Sequence, residues 1–467
     1  MHYFNMRLAL LTCAPLFLAA CPLVGAEQIG ARRPVLMISI DGMHPSYVLE
    51  ADKHALKIPV LRKFAQKGTY AERVINVSPT VTYPNHTTLV TGVLPSEHGI
   101  YSNTVFDPLQ REQGAWNWYS PQVKSPTLWG AAKKQGLTTA SVLWPVTVNA
   151  RSIDYNVPEF WRTKKEFDHY LMETVSTPPG FLEEAEKTAG FFHSGDGDIV
   201  LDEKITKVAV QMIQKGRPHL LTVHIVSLDH VEHGSGPFSS EAKETLEQID
   251  AMVGRMSDAF VKAHPNGVVM VVSDHGFHPV KHKVHLNAAF QKAGLITLGV
   301  GPRPQVASWK AFAWASDGSA SVVLQDSKDR AVEEQVARIL SDLEKDPANG
   351  INRVLRGAEA KLHHALPQAS FVVDCKAGYS MGAGLTGAVV QDLASTTGSH
   401  GYLNTHPELN SAFFAVGPGI LHGKNLGVVD IRQIAPTIAL ELGLTLPTAK
   451  MKPLAIRAAQ GSDSGTR

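Results

Sequence analysis

Cysteine is scarce. Among 467 residues only Cys13, Cys21 and Cys375 carry a thiol. Two of these lie within the first 26 residues, so a chain cleaved after Ala26 keeps one thiol and has no intramolecular disulfide. A surplus of either charge is also missing, with 44 basic against 43 acidic residues. No basic tract is present, which argues against binding a nucleic-acid polymer. The most apolar stretch runs only from Leu8 to about Ala20, short of the roughly 20 residues a membrane-spanning helix needs. No internal repeat or low-complexity segment breaks the chain. One local absence is chemical: from Ser78 to Asn103 there is no Lys or Arg, and Glu97 is the only charge.

What is present starts with the leader. Arg7 precedes the apolar stretch, and Val24-Gly25-Ala26 suits a signal peptidase. Residues 1–26 are therefore expected to be an export signal, with soluble release as the preferred outcome. Leu18-Ala19-Ala20-Cys21 also matches a lipoprotein cleavage box; if that box is used, Cys21 carries lipid and tethers the protein to a membrane. A catalytic domain is expected over 27–453 and a polar tail over 454–467.

Strand-like and helix-like segments alternate. Pro34–Ile40, Thr138–Leu143, Leu220–Val226 and Val268–Val272 read as buried strands, and Ala412–Val416 as a late one. Pro59–Gly68, Ser125–Gly136, Leu201–Gln214 and Ile431–Leu442 read as helices. Ser240–Ala263 has Leu246, Ile249, Val253, Met256 and Phe260 on one face. Pro84 suits a first helical turn, where its missing N–H costs nothing. This alternation predicts an α/β fold, a mainly parallel central sheet flanked by helices. Residues 302–373 break the rhythm, with a strand at Ser321–Leu324 and a charged helix around Asp329–Leu343, and are expected to form a small inserted lobe.

Seven residues at the ends of these segments carry metal-binding or nucleophilic groups: Asp41, Thr82, Asp229, His233, Asp274, His275 and His400. Asp41 ends one apolar run and Asp274-His275-Gly276 another, while Asp229 and His233 follow a third. Acidic and imidazole groups placed where buried strands stop suit a site at the carboxyl edge of a parallel sheet. Mixed Asp and His sets favour zinc over magnesium or calcium. Any one of these residues alone is as well explained as a loop residue or a helix cap, and Thr82 in particular as an N-cap.

The contexts Thr82-Tyr83-Pro84-Asn85-His86, Thr91-Gly92, Asp229 to His233, Ser273–Gly276 and Gly398–Asn404 resemble the nucleotide pyrophosphatase/phosphodiesterase family of the alkaline phosphatase superfamily. The resemblance runs from about Pro34 to about Pro447. It implies an alkaline-phosphatase-like sandwich and two Zn2+ per chain. One ion would be held by Asp229, His233 and His400, the other by Asp41, Asp274 and His275, with Thr82 close to both. It implies that Thr82 attacks phosphorus and that Asn103 binds a phosphate oxygen. Tyr83, Trp144, Phe160 and Trp161 are candidate walls for the second substituent, each equally readable as core. Val146-Thr147 replaces the Gly-Ser that commonly follows Trp-Pro in the family, a departure at the nucleotide-selecting segment. Asn85, His86, His98 and His230 are expected to orient ligands, and His278, His282 and His285 to lie on a solvated loop. Low cysteine content, set against cysteine-rich eukaryotic relatives, suggests a bacterial, periplasmic protein.

The implied activity is hydrolysis of a small-molecule phosphodiester or nucleotide phosphoanhydride through a phosphothreonine intermediate. The missing Lys and Arg around Thr82 favour a diester, since a monoester dianion is usually met by a cation. A phosphonoacetate hydrolase or a phosphomonoesterase on the same fold is the alternative, and a non-catalytic binding protein a weaker one. A sulfatase is excluded, because no cysteine or serine sits in the required Pro- and Arg-containing signature.

Overall fold

The computed structural model describes residues 32–458 except 113, 164, 193–197, 302–304 and 364–365. Residues 1–31, with the expected export signal and Cys21, and residues 459–467 of the expected tail lie outside the described residues. The central sheet has eight strands: β1 Val35–Ile40, β2 Thr69–Tyr70, β3 Thr139–Val142, β4 Tyr155–Val157, β5 Leu220–Ile225, β6 Val268–Val272, β7 Phe413–Val416 and β8 Lys424–Asn425. Their order is β8-β2-β7-β6-β1-β5-β3-β4. β1 pairs in parallel with β5 and β6, and β3 with β4 and β5. Only β7 runs against its neighbours β6 and β2.

β1, β5 and β6 are buried at every residue. That explains their nearly unbroken Val, Ile, Leu and Met content, since a parallel strand is covered on both faces. One face packs on helices Pro59–Lys67, Asp198–Gly216 and Ser240–Ala263 through residues such as Leu61, Ile205, Leu246 and Phe260. The other meets Thr82–Thr91, Leu128–Lys134 and Ile434–Glu441 through Leu89, Trp129 and Ile438. Each fully buried Leu, Ile or Phe contributes about 1.5–3 kcal/mol before ordering costs. Among the described residues no helix is long and apolar enough to cross a membrane.

Between β6 and β7 the chain builds a second layer system. A four-stranded antiparallel sheet combines Ala311–Ser316, Ser319–Leu324, Ala369–Cys375 and Ile351–Arg356. Helix Arg330–Lys345 belongs to its apolar cluster through Val332, Val336 and Leu340. A three-stranded sheet of Gly378–Met381, His278–Val284 and Val390–Ser399 connects it to the main body. The segment holding His278 and His282, expected as a solvated loop, is thus a strand. Its three histidines part company: His278 meets His406 at 3.1 Å, His282 meets Asp392 at 2.7 Å, and His285 meets Gln391 at 3.2 Å. Burial alternates only from His278 to Lys281, and the polar, half-buried His282 and Lys283 that follow break the period-two pattern that would have marked a strand in the sequence.

Candidate metal centre and nucleophile

The parallel strands of the sheet end at one edge, and the reactive groups collect there. Asp41 follows β1, and its N–H donates to Ile225 O at the end of β5 at 2.9 Å. Gly42 turns the chain at φ +77; a Cβ there would meet the Phe277 ring at 2.7 Å and Glu232 Oε2 at 2.8 Å. Ser273, Asp274 and His275 follow β6. Because β7 runs the other way, its first residue Phe413 lies opposite Val272, which brings the incoming segment 400–412 to this same edge.

After β5 the chain enters helix Ser227–Ser235, which carries Asp229 and His233 one turn apart. Buried Asp202 anchors that entry, accepting from Val226 N and Ser227 N at 3.0 Å each and from the Ser227 hydroxyl. Burial raises the Asp202 carboxyl to about 6, although those hydrogen bonds pull the other way.

Two donor sets result. His233 Nε2 and His400 Nε2 lie 3.6 and 3.5 Å from Asp229 Oδ1 and 3.2 Å from each other. His275 Nε2 lies 3.3 Å from Asp41 Oδ1 and 3.1 Å from Asp274 Oδ2. Donors about 2.0–2.2 Å from one zinc are separated by just such spans. The strongest sign of fit is the orphaned polarity. Asp41 Oδ1, Asp229 Oδ1, Asp274 Oδ2 and both ring nitrogens of His275 are buried without a hydrogen-bond partner among the described residues. Buried polar atoms are seldom left so, and a cation at each set would satisfy them.

Electrostatics agree. Burial, then the charges of Asp274 and Asp229, pushes the Asp41 carboxyl well above the usual range. Burial pushes Asp274 up too, but the imidazoles of His275 and His86 outweigh it and hold the carboxyl below its ordinary value. Burial drives His275 and His224 down to about 3, so both rings are neutral at pH 7, the form that ligates metals.

Supporting contacts fix the ligands. His400 Nδ1 donates to Thr80 O at 2.9 Å, leaving Nε2 toward Asp229 and His233. His224, in the middle of β5, brings Nε2 to 2.9 Å from Asp41 Oδ2 and Nδ1 to 3.1 Å from Leu143 O. A histidine interrupting the apolar run Leu220–Ile225 was a signal that sequence reading passed over. His86 Nδ1 lies 2.9 Å from Thr82 O and 3.4 Å from Asp274 Oδ2.

Thr82 is the first residue of helix Thr82–Thr91, not its cap; extended Val81 holds the cap position. Asn85 sets the approach, donating to Val77 O, Pro79 O and Val81 O and accepting from Val77 N at 2.9 Å. Thr82 is 8% exposed and its side chain faces the cleft at the helix amino end, where the N–H groups favour an anion. Asn103 Oδ1 accepts from Tyr83 N at 2.8 Å, which turns its amide N–H2 toward the cleft it lines.

The cleft of about 440 Å³ opens outward from Thr82. Tyr83 and Trp161 line it, joined by Trp116, Trp118 and Glu159, which sequence reading did not single out. Trp116 and Trp118 stack at 5.5 Å, and Tyr83 sits edge-on to both. Phe160 is buried behind this wall against Trp118. Trp144 is fully buried and takes no part in the cleft; it packs on His86 and Trp129 and donates to His86 O at 3.3 Å. Burial raises the Glu159 carboxyl to about 7 against the pull of the neighbouring Tyr83 hydroxyl. His98, by contrast, serves the helix behind, with Nε2 3.2 Å from the Thr88 hydroxyl.

A family model described as type I phosphodiesterase / nucleotide pyrophosphatase matches residues 35–403. The chain belongs to that family. Human ectonucleotide pyrophosphatase/phosphodiesterase family member 1 is 28% identical over 283 residues, 58% of this chain and 26% of the relative. Venom phosphodiesterase 2 of Crotalus adamanteus is 23% identical over 433 residues, 87% of this chain and 44% of the relative. The chain thus spans less than half the length of these relatives. Human ectonucleotide pyrophosphatase/phosphodiesterase 5 shares the fold at TM-score 0.62 and 19% identity, covering 88% of this chain and 96% of that one. An inactive variant of the murine counterpart in complex with AMP superposes at TM-score 0.61 and 18% identity, covering 89% and 96%. The alkaline-phosphatase-like α/β architecture expected from the sequence is therefore the one observed.

Proposed function

We propose that this protein is a two-zinc hydrolase of small phosphodiesters and nucleotide phosphoanhydrides that works through a phosphothreonine intermediate. One observation carries the reading: Thr82 sits at a helix amino end and lines the same cleft as Asp41, Asp229, His233 and His400. Asp229, His233 and His400 would hold one ion, and Asp41, Asp274 and His275 the other. When bound, the pair supplies positive charge that acidifies a nearby hydroxyl and stabilises oxyanions.

Thr82 Oγ then attacks phosphorus in line and displaces an alkoxide or phosphate, and water later cleaves the phosphothreonine. The Asn103 amide donates to a non-bridging oxygen whose charge grows in the transition state. No Lys or Arg lines the cleft among the described residues, which supports a singly charged diester over a monoester dianion. The aromatic wall offers faces for a planar substituent, and the Glu159 carboxyl, which lines the cleft, offers an acceptor for N–H donors such as a nucleobase amino group. A nucleotide substituent is also in keeping with the AMP-bound relative.

The test is a panel on zinc-loaded protein: an aryl diester, the matching monoester, a nucleoside triphosphate, a lysophospholipid and phosphonoacetate. Preference for phosphonoacetate or the monoester would reject the reading in favour of the alternative named above. Export to the periplasm is part of the same proposal, supported by Arg7, the apolar run Leu8–Ala20 and Val24-Gly25-Ala26. Cell fractionation with amino-terminal sequencing tests it, and an amino terminus at Cys21 would establish a lipid tether instead.

A further inference from the structure

Among the described residues the lobe lines the cleft through the tip of the hairpin Ala311–Ser316 and Ser319–Leu324. Ser316 pairs with Ser319, so Asp317 and Gly318 form a two-residue turn. Asp317 holds φ +54, a left-handed conformation that costs a non-glycine residue roughly 1 kcal/mol. Asp-Gly, Asn-Gly and Gly-Gly are all favoured pairs in such turns, so the turn accepts a carboxylate at this position without requiring one.

The tip is clamped to the segment that carries His400. Gly318 N donates to His400 O at 2.6 Å, and the Ser319 hydroxyl to Gly401 O at 2.6 Å. Met381 N donates to Asp317 O at 2.5 Å. A Cβ on Gly318 would lie 2.1 Å from the Tyr402 ring, and one on Gly401 1.8 Å from Ser316 O. The two chains approach as closely as glycines permit, and the outcome is that Asp317 lines the cleft. Donor atoms of Asp317, His233 and His400 lie within 4.8 Å of one another. The Asp317 carboxylate makes no hydrogen bond among the described residues.

We propose that Asp317 is a further ligand of the ion held by Asp229, His233 and His400, and that the lobe delivers it. The inference rests on the two-metal reading above. Its consequence is charge balance. Asp41 and Asp274 give one set two carboxylates, whereas Asp229 alone gives the other only one. With Asp317 each set carries two carboxylates, enough to neutralise one divalent ion. Zinc sites expand to five donors during catalysis, so a fourth protein ligand still leaves a place for substrate. A neutral centre also attracts a phosphate dianion less than a cationic one would, which reinforces the preference for a diester.

The experiment compares wild type, Asp317→Asn and Asp317→Ala by zinc titration against a competing chelator and by the visible spectrum of the cobalt-loaded protein. Asparagine accepts the left-handed turn at least as well as aspartate, so Asp317→Asn separates charge from fold. We expect both variants to retain one wild-type site and to weaken the other on the order of 10–100-fold, with an altered cobalt spectrum. The Asp317→Asn protein should also lose part of its discrimination against the monoester. Two wild-type affinities and an unchanged spectrum in both variants would overturn the role of Asp317 alone. A wild type that binds no ion through Asp229, His233 and His400 would overturn the two-metal reading and this inference with it.

Discussion

The inner and outer halves of the cleft are built by different means. Inner groups sit within three residues past a strand's end or in the first turn of a helix: Asp41 after β1, Asp274 and His275 after β6, Asp229 in the helix that follows β5, Thr82 at a helix start. Outer groups come from connections: Trp116 and Trp118 from the segment before helix Leu128–Lys134, Glu159 and Trp161 after β4, Asp317 from the lobe. A strand end is placed by its ladder, to within what eight paired strands allow. A loop side chain is placed by whatever it packs against. The difference predicts that inner substitutions abolish chemistry or metal binding, while outer substitutions change which substrate is favoured.

The largest effect tests the inner half. Thr82→Ala should lower kcat by about three orders of magnitude or more, with zinc content remaining near two per chain by elemental analysis. The outer wall should not move in the same variant, so affinity for a nucleoside monophosphate product should stay within a few-fold of wild type. A folded Thr82→Ala protein with near-normal turnover would remove it as nucleophile. Next in size are the ligands. Chelation should abolish activity and zinc restore it. His400→Ala and His233→Ala should empty the same set, and Asp274→Ala the other. Retention of both ions by His400→Ala would break the division into two sets.

How much of this was legible in the sequence follows the same line. β1, β5 and β6 announce themselves as apolar runs because both faces are buried; Asp41 directly follows the first, Asp229 lies four positions beyond Ile225, and Asp274-His275 follows the last after one serine. Val268–Val272 and Ser240–Ala263 match their expected bounds. Trp116 and Trp118 carry no such mark. Nothing periodic surrounds them, and only folding stacks them beside Tyr83. Trp144 shows the converse: its Trp-Pro context suggested the cleft, but burial against His86 and Trp129 places it behind the nucleophile's helix. Asp317 lies 83 positions before its nearest expected partner, His400, inside an insertion whose sequence reads as an ordinary hairpin.

The outer half predicts smaller effects. An aryl diester should exceed the matching monoester about a hundredfold in kcat/KM, equivalent to about 2.7 kcal/mol. A basic residue introduced beside Asn103 should narrow that ratio. Equal rates in the wild type would leave the metal sets in place but dissolve the specificity argument. Trp116→Ala should raise KM for a nucleotide substrate on the order of tenfold, as expected for one lost stacking face, while hardly altering kcat or the KM of a small alkyl diester. A fall in kcat instead would mean that the wall also positions Thr82.

The smallest effect lies at Glu159 and depends on pH. Burial raises its carboxyl from 4.5 to about 7, so it ionises in the range where the enzyme would be assayed. The ionised form accepts a stronger, charge-assisted hydrogen bond from a base amino group. For an adenine-bearing diester, kcat/KM should therefore rise about threefold as pH increases through 7, relative to an aryl diester that has no N–H donor. Glu159→Gln should flatten that ratio. The stability sign is opposite. Between 4.5 and about 7 the folded protein binds the proton that the unfolded chain has released, so wild type should lose stability relative to Glu159→Gln as pH climbs through this window. Thermal melts of the metal-free proteins at pH 5 and pH 8 measure it. A ratio that tracks pH equally in both proteins would assign the ionisation to the metal-bearing half of the cleft and erase the distinction between the two halves on this point.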